Sequence, residues 1–181
     1  MVQPIKSKAK ISAMKSVLKD KDEKYYVMFM IGINSGLRIS DILKLKVKDV
    51  KNRDEIELKE TKTRKQKRFW IDDPLRKCLN NYIKKNDMKD DDYLIPTKKG
   101  VNKPVSSVQA YRVLRKAGES IGLDDIGTHT MRKTFGYWHY RQFHDLAMLT
   151  EIFNHSSQVI TKRYIGLTQD EINNSYKEFG L

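Results

Sequence analysis

Residues 55–72 read EIELKETKTRKQKRFWID, and here the hydrophobic period of the chain changes. Apolar and polar residues alternate through EIELKE and again through KRFWID, with a cationic TKTRKQ between them. Alternation on both sides of a short polar connection predicts a β-hairpin. Around it the spacing is helical. Ile11, Met14 and Leu18 lie three or four apart, and Ser7 is placed to cap them. A second helix is predicted from about Glu23 to Ser35, ending at Gly36. RISDILKLK predicts a short helix capped by Ser40. PLRKCLNNYIKKN opens with Pro74 at a first-turn position, and DYLIP predicts a short strand or extended segment. Helices are predicted at about 105–121, 129–143, 145–153, 156–164 and 168–178. The expected fold class is mostly α with a small antiparallel β-sheet (α+β), in one domain over residues 1–181.

The 181 residues are 39% hydrophobic and 33% charged, with a formal net charge of +13. Such a surplus implies a polyanionic partner. Nucleic acid is the first candidate, a membrane surface the second, and a basic soluble protein with no such partner the third. The acidic run at 88–92, MKDDD, is expected as a solvated turn or a face turned from the polyanion. Cys78 is the single cysteine, so no internal disulfide forms; a lone thiol suits a reducing compartment, and packing is its expected role. The longest apolar run, YYVMFMIGI at 25–33, is too short to span a bilayer, and the N-terminus has no signal-peptide core. A cytoplasmic protein is expected.

Several short motifs carry candidate chemistry. Arg38 follows Gly36 with Asp41 three residues on. It reads either as a surface pair or as a guanidinium presented to a phosphate with the acid steadying it. In THTMR, Thr128 is an expected N-cap, and His129 and Arg132 share a first-turn face where anions are favoured. In isolation HxxR reads first as capping and surface residues, and second as a phosphate pocket. The hairpin tip is dense in cations. Most would make generic backbone contacts, and a lysine at a strand end aimed inward would be able to protonate a leaving oxygen. FNHSSQVITKRYIG, 153–166, holds His155 nine residues before Tyr164, with Lys162 and Arg163 against the tyrosine. No HExxH, cysteine pair, GxxxxGK[ST] or GxGxxG occurs, so the sequence offers neither a metal site nor a nucleotide cradle. No cofactor is expected.

Taken in order, these pieces resemble the catalytic domain of the tyrosine recombinases, the phage-integrase family, from about residue 8 to the C-terminus. SGLRISDIL is similar to the family's TGLRISEL-like string, TKTRK to its KTGK, HTMR to its HxLR, and FNHSSQVITKRYIGL to its LGHSS…YxH. The resemblance implies Arg38, Lys62, His129, Arg132, His155 and Tyr164 as catalytic residues, with Lys65 the alternative to Lys62 and Asp41 supporting Arg38. Asn154 stands where glycine is common, Met131 where leucine is, and YIGL where YxH is. The activity implied is site-specific cleavage and rejoining of duplex DNA through a 3′-phosphotyrosyl intermediate, as in integration or excision of a mobile element. The alternatives are a DNA-binding module of the same fold without turnover, or type IB topoisomerase-like relaxation. A tetramer on DNA, with accessory DNA-bending proteins, goes with the first. Family members usually carry an N-terminal core-binding domain, and none is expected within these residues.

Arg64, Lys65, Lys67 and Arg68 of the hairpin are expected to bind DNA, as are Thr128, Lys133, Lys162 and Arg163. Lysines 8, 10, 15, 44, 46 and 48 are further backbone candidates. The cations around Tyr164 are expected to favour its phenolate. The helix at 168–178 is expected to dock on its own domain or on a neighbouring protomer.

Overall fold

The computed structural model describes residues 2–98, 101–167, 176, 177 and 179. Its elements, in chain order, are α1 (Lys8–Lys21), α2 (Glu23–Ser35), α3 (Ile39–Ile42), α4 (Val47–Val50), β1 (Glu55–Lys59), β2 (Gln66–Trp70), α5 (Asp73–Lys85), α6 (Ser107–Glu119), α7 (Thr130–Phe143), α8 (Leu146–Phe153) and α9 (Gln158–Tyr164). The expected mostly-α fold with one small antiparallel sheet is present. No helix among the described residues is long and apolar enough to cross a membrane.

α2 is the centre of the molecule. It buries Val27, Met28, Phe29 and Ile31 completely and packs against α1, α5 and α7. Its start and stop were legible: Asp22 accepts from the Lys24 N–H, and Gly36 closes the helix at φ 64°. The left-handed conformation turns the chain sharply and aims Leu37 back into the core, leaving Arg38 outside it. Ser7, Asp72, Ser106, Asp145 and Ser157 cap α1, α5, α6, α8 and α9 through their side chains.

β1 and β2 pair antiparallel with Ile56 opposite Phe69 and Leu58 opposite Lys67. Ile56 is buried and Leu58 and Phe69 pack on the core, so one face of the hairpin lies on the helices. Parity puts Glu60 and Lys67 on that same inner side. At the tip Arg64 adopts φ 59°, where the resembling family string carries glycine.

Two local expectations are corrected, and one element is added to those expected. Ser40 does not cap α3: Arg38 is the N-cap residue, and no side chain makes the cap bond. Thr128 does not cap α7; His129 occupies that place, and the Thr130 hydroxyl takes the Gly127 N–H instead. α4 was not foreseen, being a single turn held by the Asp49 carboxylate on the Lys46 N–H. DYLIP is an extended segment, one of the two forms expected, bonding through isolated bridges such as Lys46–Tyr93. The MKDDD run is the solvated turn expected, with exposed Asp90 and Asp91 paired with Lys51 and Lys48. The helix expected at 168–178 lies outside the described residues apart from Tyr176 and Lys177.

Leu149, Phe153 and Ile165 form a second, smaller core beneath α8 and α9, with Phe135 and Tyr164 packed on it. Gly136 makes the junction with α7 possible. A Cβ there would lie 2.6 Å from Ile165 Cγ2 and 2.7 Å from Phe153. The segment bearing Tyr164 is thus seated on α7 by one small cluster and one glycine.

Candidate active site

Arg38 emerges from the Gly36 turn, and its Nη1 meets Glu60 Oε1 at 2.8 Å, in charge contact though off the hydrogen-bonding direction. The expected helper, Asp41, does something else: its Oδ1 accepts the Thr61 N–H at 2.9 Å, and Oδ2 is buried without a partner. The i,i+3 argument fails because Arg38 caps α3 in an extended conformation, so its side chain does not lie over that turn. Glu60 is the residue that sequence reasoning missed. Its side chain is 0% exposed, and it also takes bonds from the Thr63 hydroxyl (2.5 Å) and Asn154 Nδ2 (3.3 Å). Burial alone would raise this carboxyl; Thr63, Arg38 and Lys67 outweigh it and hold it below the usual range. The alternation Ile56, Leu58, Glu60 was the available signal.

Arg132 is 2% exposed. It donates from Nη1 to the Gly36 carbonyl (2.5 Å) and from Nη2 to the Phe153 carbonyl (2.8 Å), and its guanidinium lies 4.3 Å from the Phe153 ring centroid. These carbonyls sit at the ends of α2 and α8, so one side chain ties the Arg38 turn to the Tyr164 segment. Its positive charge also acts on the Tyr164 hydroxyl.

Tyr164 ends α9 with its hydroxyl 3.2 Å from His129 Nδ1. Its ring packs edge-on to Phe153 and His155, at centroid separations of 5.5 and 5.1 Å. The expected preference for phenolate is not met in this state. Burial raises the phenol, and Arg132 and Arg38 only partly counter it. A charge costs more to desolvate here than the cations return. The hydroxyl therefore keeps its proton, facing an imidazole that burial and the surrounding cations Arg132, Lys133, Lys62 and Arg38 keep neutral.

His155 follows Asn154, whose φ of 53° explains why glycine is common at that place and why asparagine is a tolerable substitute. Burial, then Arg132 and Arg38, push the His155 ring down to about 4. Its Nδ1 lies 3.0 Å from Thr161 Oγ1, a hydroxyl that is fully buried and also contacts Thr150. That hydroxyl also donates to the Ser157 carbonyl at 3.3 Å, so the contact orients the His155 ring without fixing which nitrogen carries its proton.

The remaining assignments divide. Lys62 is exposed at the hairpin tip, near enough to His129 to lower it. Arg64, Lys65 and Arg163 are exposed, and Lys162 and Thr128 are half-buried at the same edge. Arg68 is exposed but paired with Glu55 and Glu57. Two assignments to the DNA backbone are corrected. Lys133 is 8% exposed, donates to the Val2 carbonyl at 2.8 Å and lies 5.2 Å from the Tyr164 ring centroid, so it supports the tyrosine from behind. Lys67 points inward, its Nζ buried with no hydrogen-bond partner. Burial and Arg132 push this ammonium down to about 8, Glu60 pulling the other way. Lys48, paired with Asp91, and Lys10, bonded to the Ile121 carbonyl, are likewise engaged within the molecule.

Arg38, Arg132, His129, His155 and Tyr164 thus converge, with a buried carboxylate and a buried ammonium between strand and helices. In sequence, the profile of the Phage integrase family matches residues 7–171. The chain belongs to the phage integrase family. It is 48% identical over 180 residues to a probable integrase/recombinase, YoeC, of Bacillus subtilis (strain 168), covering 99% of this chain and 98% of that protein. It is 26% identical over 145 residues to the tyrosine recombinase XerA of Saccharolobus solfataricus, covering 80% of this chain but only 46% of that protein. By class this integrase-family chain is a site-specific recombinase. Its fold matches the crystal structure of XerA recombinase with a TM-score of 0.79 at 21% identity, over 98% of this chain and 66% of that one. It also matches XerH site-specific recombinase bound to difH substrate, with a TM-score of 0.70 at 17% identity, over 94% of this chain and 52% of that one.

Proposed function

We propose that the chain cuts and rejoins duplex DNA at specific sites through a 3′-phosphotyrosyl linkage, in the integration or excision of a mobile element. The observation that carries this reading is the Tyr164 hydroxyl held 3.2 Å from His129 Nδ1, where the charges of Arg132 and Arg38 act on it. Tyr164 attacks the phosphorus while its proton passes to neutral His129. Arg38, steadied by Glu60, and Arg132, steadied by two carbonyls, hold the non-bridging oxygens. His155 donates to one of them from Nε2. The bond to the 5′ oxygen breaks as Lys62, on the exposed tip, supplies that oxygen's proton. One phosphoester replaces another, so no external energy source is required, and attack by a new 5′-hydroxyl reverses every step.

In this reading residues 1–181 act as one catalytic unit on double-stranded DNA, assembling as a tetramer with accessory bending proteins. The exposed Arg64, Lys65 and Arg163 grip the backbone. Since the target sequence is open, the test begins with a pool of nicked duplexes of random sequence whose short 5′-hydroxyl fragment diffuses away on cleavage. A denaturation-resistant protein–DNA adduct is expected with the wild-type chain and none with Tyr164→Phe, which still binds DNA. An adduct that survives Tyr164→Phe overturns the reading.

A further inference from the structure

Lys67 is a buried cation for which the steps above have no use. It lies on β2 opposite Leu58, on the face that packs inward, beside Phe69. Its Nζ is out of solvent and without a hydrogen-bond partner. The charges that act on it are the active site's own, Arg132 and Arg38 repelling it and Glu60 and Asp41 attracting it. Of those carboxylates, Glu60 Oε1 and Asp41 Oδ2 are themselves buried without a hydrogen bond. A buried ammonium without a hydrogen bond is costly, and its neighbours on that face are the apolar Ile56, Leu58 and Phe69 and, just past β1, Glu60, whose Oε1 Arg38 already meets at 2.8 Å. Methionine would fill the place with the same stem.

An anion set between Arg38 and Arg132 removes this cost, because it replaces the repulsion of two guanidinium groups with attraction. Lys67 is too deep to follow DNA across the surface, and the 5′ oxygen departs with the DNA on the exposed side, where Lys62 lies. We infer that Lys67 is a positioning residue of the phosphate pocket. It is a third cation beneath the two arginines that compensates the charge on the scissile phosphate's non-bridging oxygens and balances Glu60 and Asp41 while that phosphate is bound. This rests on the strand-cleavage reading above and adds to it a residue that neither grips flanking DNA nor transfers a proton. The lowering of Lys67 to about 8 in the DNA-free chain agrees with a pocket that already holds more positive than negative charge.

The test uses one duplex recovered as a covalent adduct with the wild-type chain from the random pool. It is synthesised in three forms at the cleaved linkage: the ordinary diester, a methylphosphonate lacking the negative charge, and a diester with sulfur as the bridging 5′ atom. Lys67→Met, with Lys67→Gln as the second variant, is expected to melt no lower than the wild-type chain, since a buried unpartnered charge is gone. Adduct formation on the diester is expected to fall about ten- to a hundredfold, less than the hundred- to thousandfold typical of a lost direct oxyanion donor, because Lys67 acts from beneath the arginines. On the methylphosphonate the gap should close to about threefold, because there is no phosphate charge left to compensate. An equal loss on diester and methylphosphonate overturns the inference, as does no loss on the diester. Rescue by the bridging sulfur alone also overturns it, since sulfur leaves without a proton and Lys67 would then be the acid. Absence of an adduct with the wild-type chain on any duplex is the different failure, that of the strand-cleavage reading, and it removes the inference with it.

Discussion

Glu60 carries more of the site than any residue that the motifs named. It holds Arg38 at 2.8 Å, Thr63 at 2.5 Å and Asn154 at 3.3 Å from a position with no solvent exposure. Replacing its charge leaves Arg38 and Lys67 uncompensated in a buried place. Glu60→Gln is therefore expected to destabilise the chain by about 3 kcal/mol, the usual cost of breaking a buried pair, measured by urea unfolding. Asp41→Asn, whose Oδ1 would still accept the Thr61 N–H, is expected to cost less. Thr161 acts on His155 in the same local way. Thr161→Val removes the hydroxyl 3.0 Å from Nδ1, and the cleavage rate is expected to drop about tenfold or more as the ring loses the Nδ1 partner that orients it. At this scale the sequence named the side chains that converge but not their supports. Chain proximity suggested Asp41 for Arg38, whereas the bond spans from the α2–α3 turn to the end of β1, a distance only folding closes.

At the scale of elements, the hairpin and the α8–α9 pair are the parts to watch. Hairpin alternation was legible and correct in both strands. The same parity carries Glu60 and Lys67 inward, which a reading of charged residues as surface residues hides. The α8–α9 pair rests on its own three buried residues, whereas α2 is embedded in the main core. Amide hydrogens of 158–164 are expected to exchange faster than those of 27–32, observed by hydrogen exchange. Gly136→Ala tests the junction. Its Cβ would press on Phe153 and Ile165 at under 3 Å, displacing the Tyr164 segment from α7. Overpacking of this kind costs about 1–3 kcal/mol, and adduct formation is expected to suffer more than melting temperature does, because a shift of the phenol by about 1 Å is already costly.

For the whole molecule, charge sets two expectations. The net +13 makes DNA binding fall steeply with salt, each phosphate contact releasing counterions. Acid is expected to unfold the chain early. His155 in the folded state lies near 4, below the ordinary histidine value of 6.5, so between those values the unfolded chain binds the extra proton and stability falls as pH falls. Glu60, held below the usual carboxylate range, acts in the same direction, its contribution being lost as it is protonated. A thermal-melt series from pH 7 to 4 checks this, and His155→Gln should flatten the upper part of the slope. By itself the sequence determined most of the described helices, the hairpin, the excess of positive charge and the ordered set of Arg38, His129, Arg132, His155 and Tyr164, because periodicity, most caps and side-chain chemistry are local. Only the tertiary structure decided that Glu60 rather than Asp41 holds Arg38, that Lys67 and Lys133 face inward, and that Tyr164 stays protonated among its cations. Those outcomes depend on which groups lose water together, and desolvation is a property of the packed site, not of any residue's place in the chain.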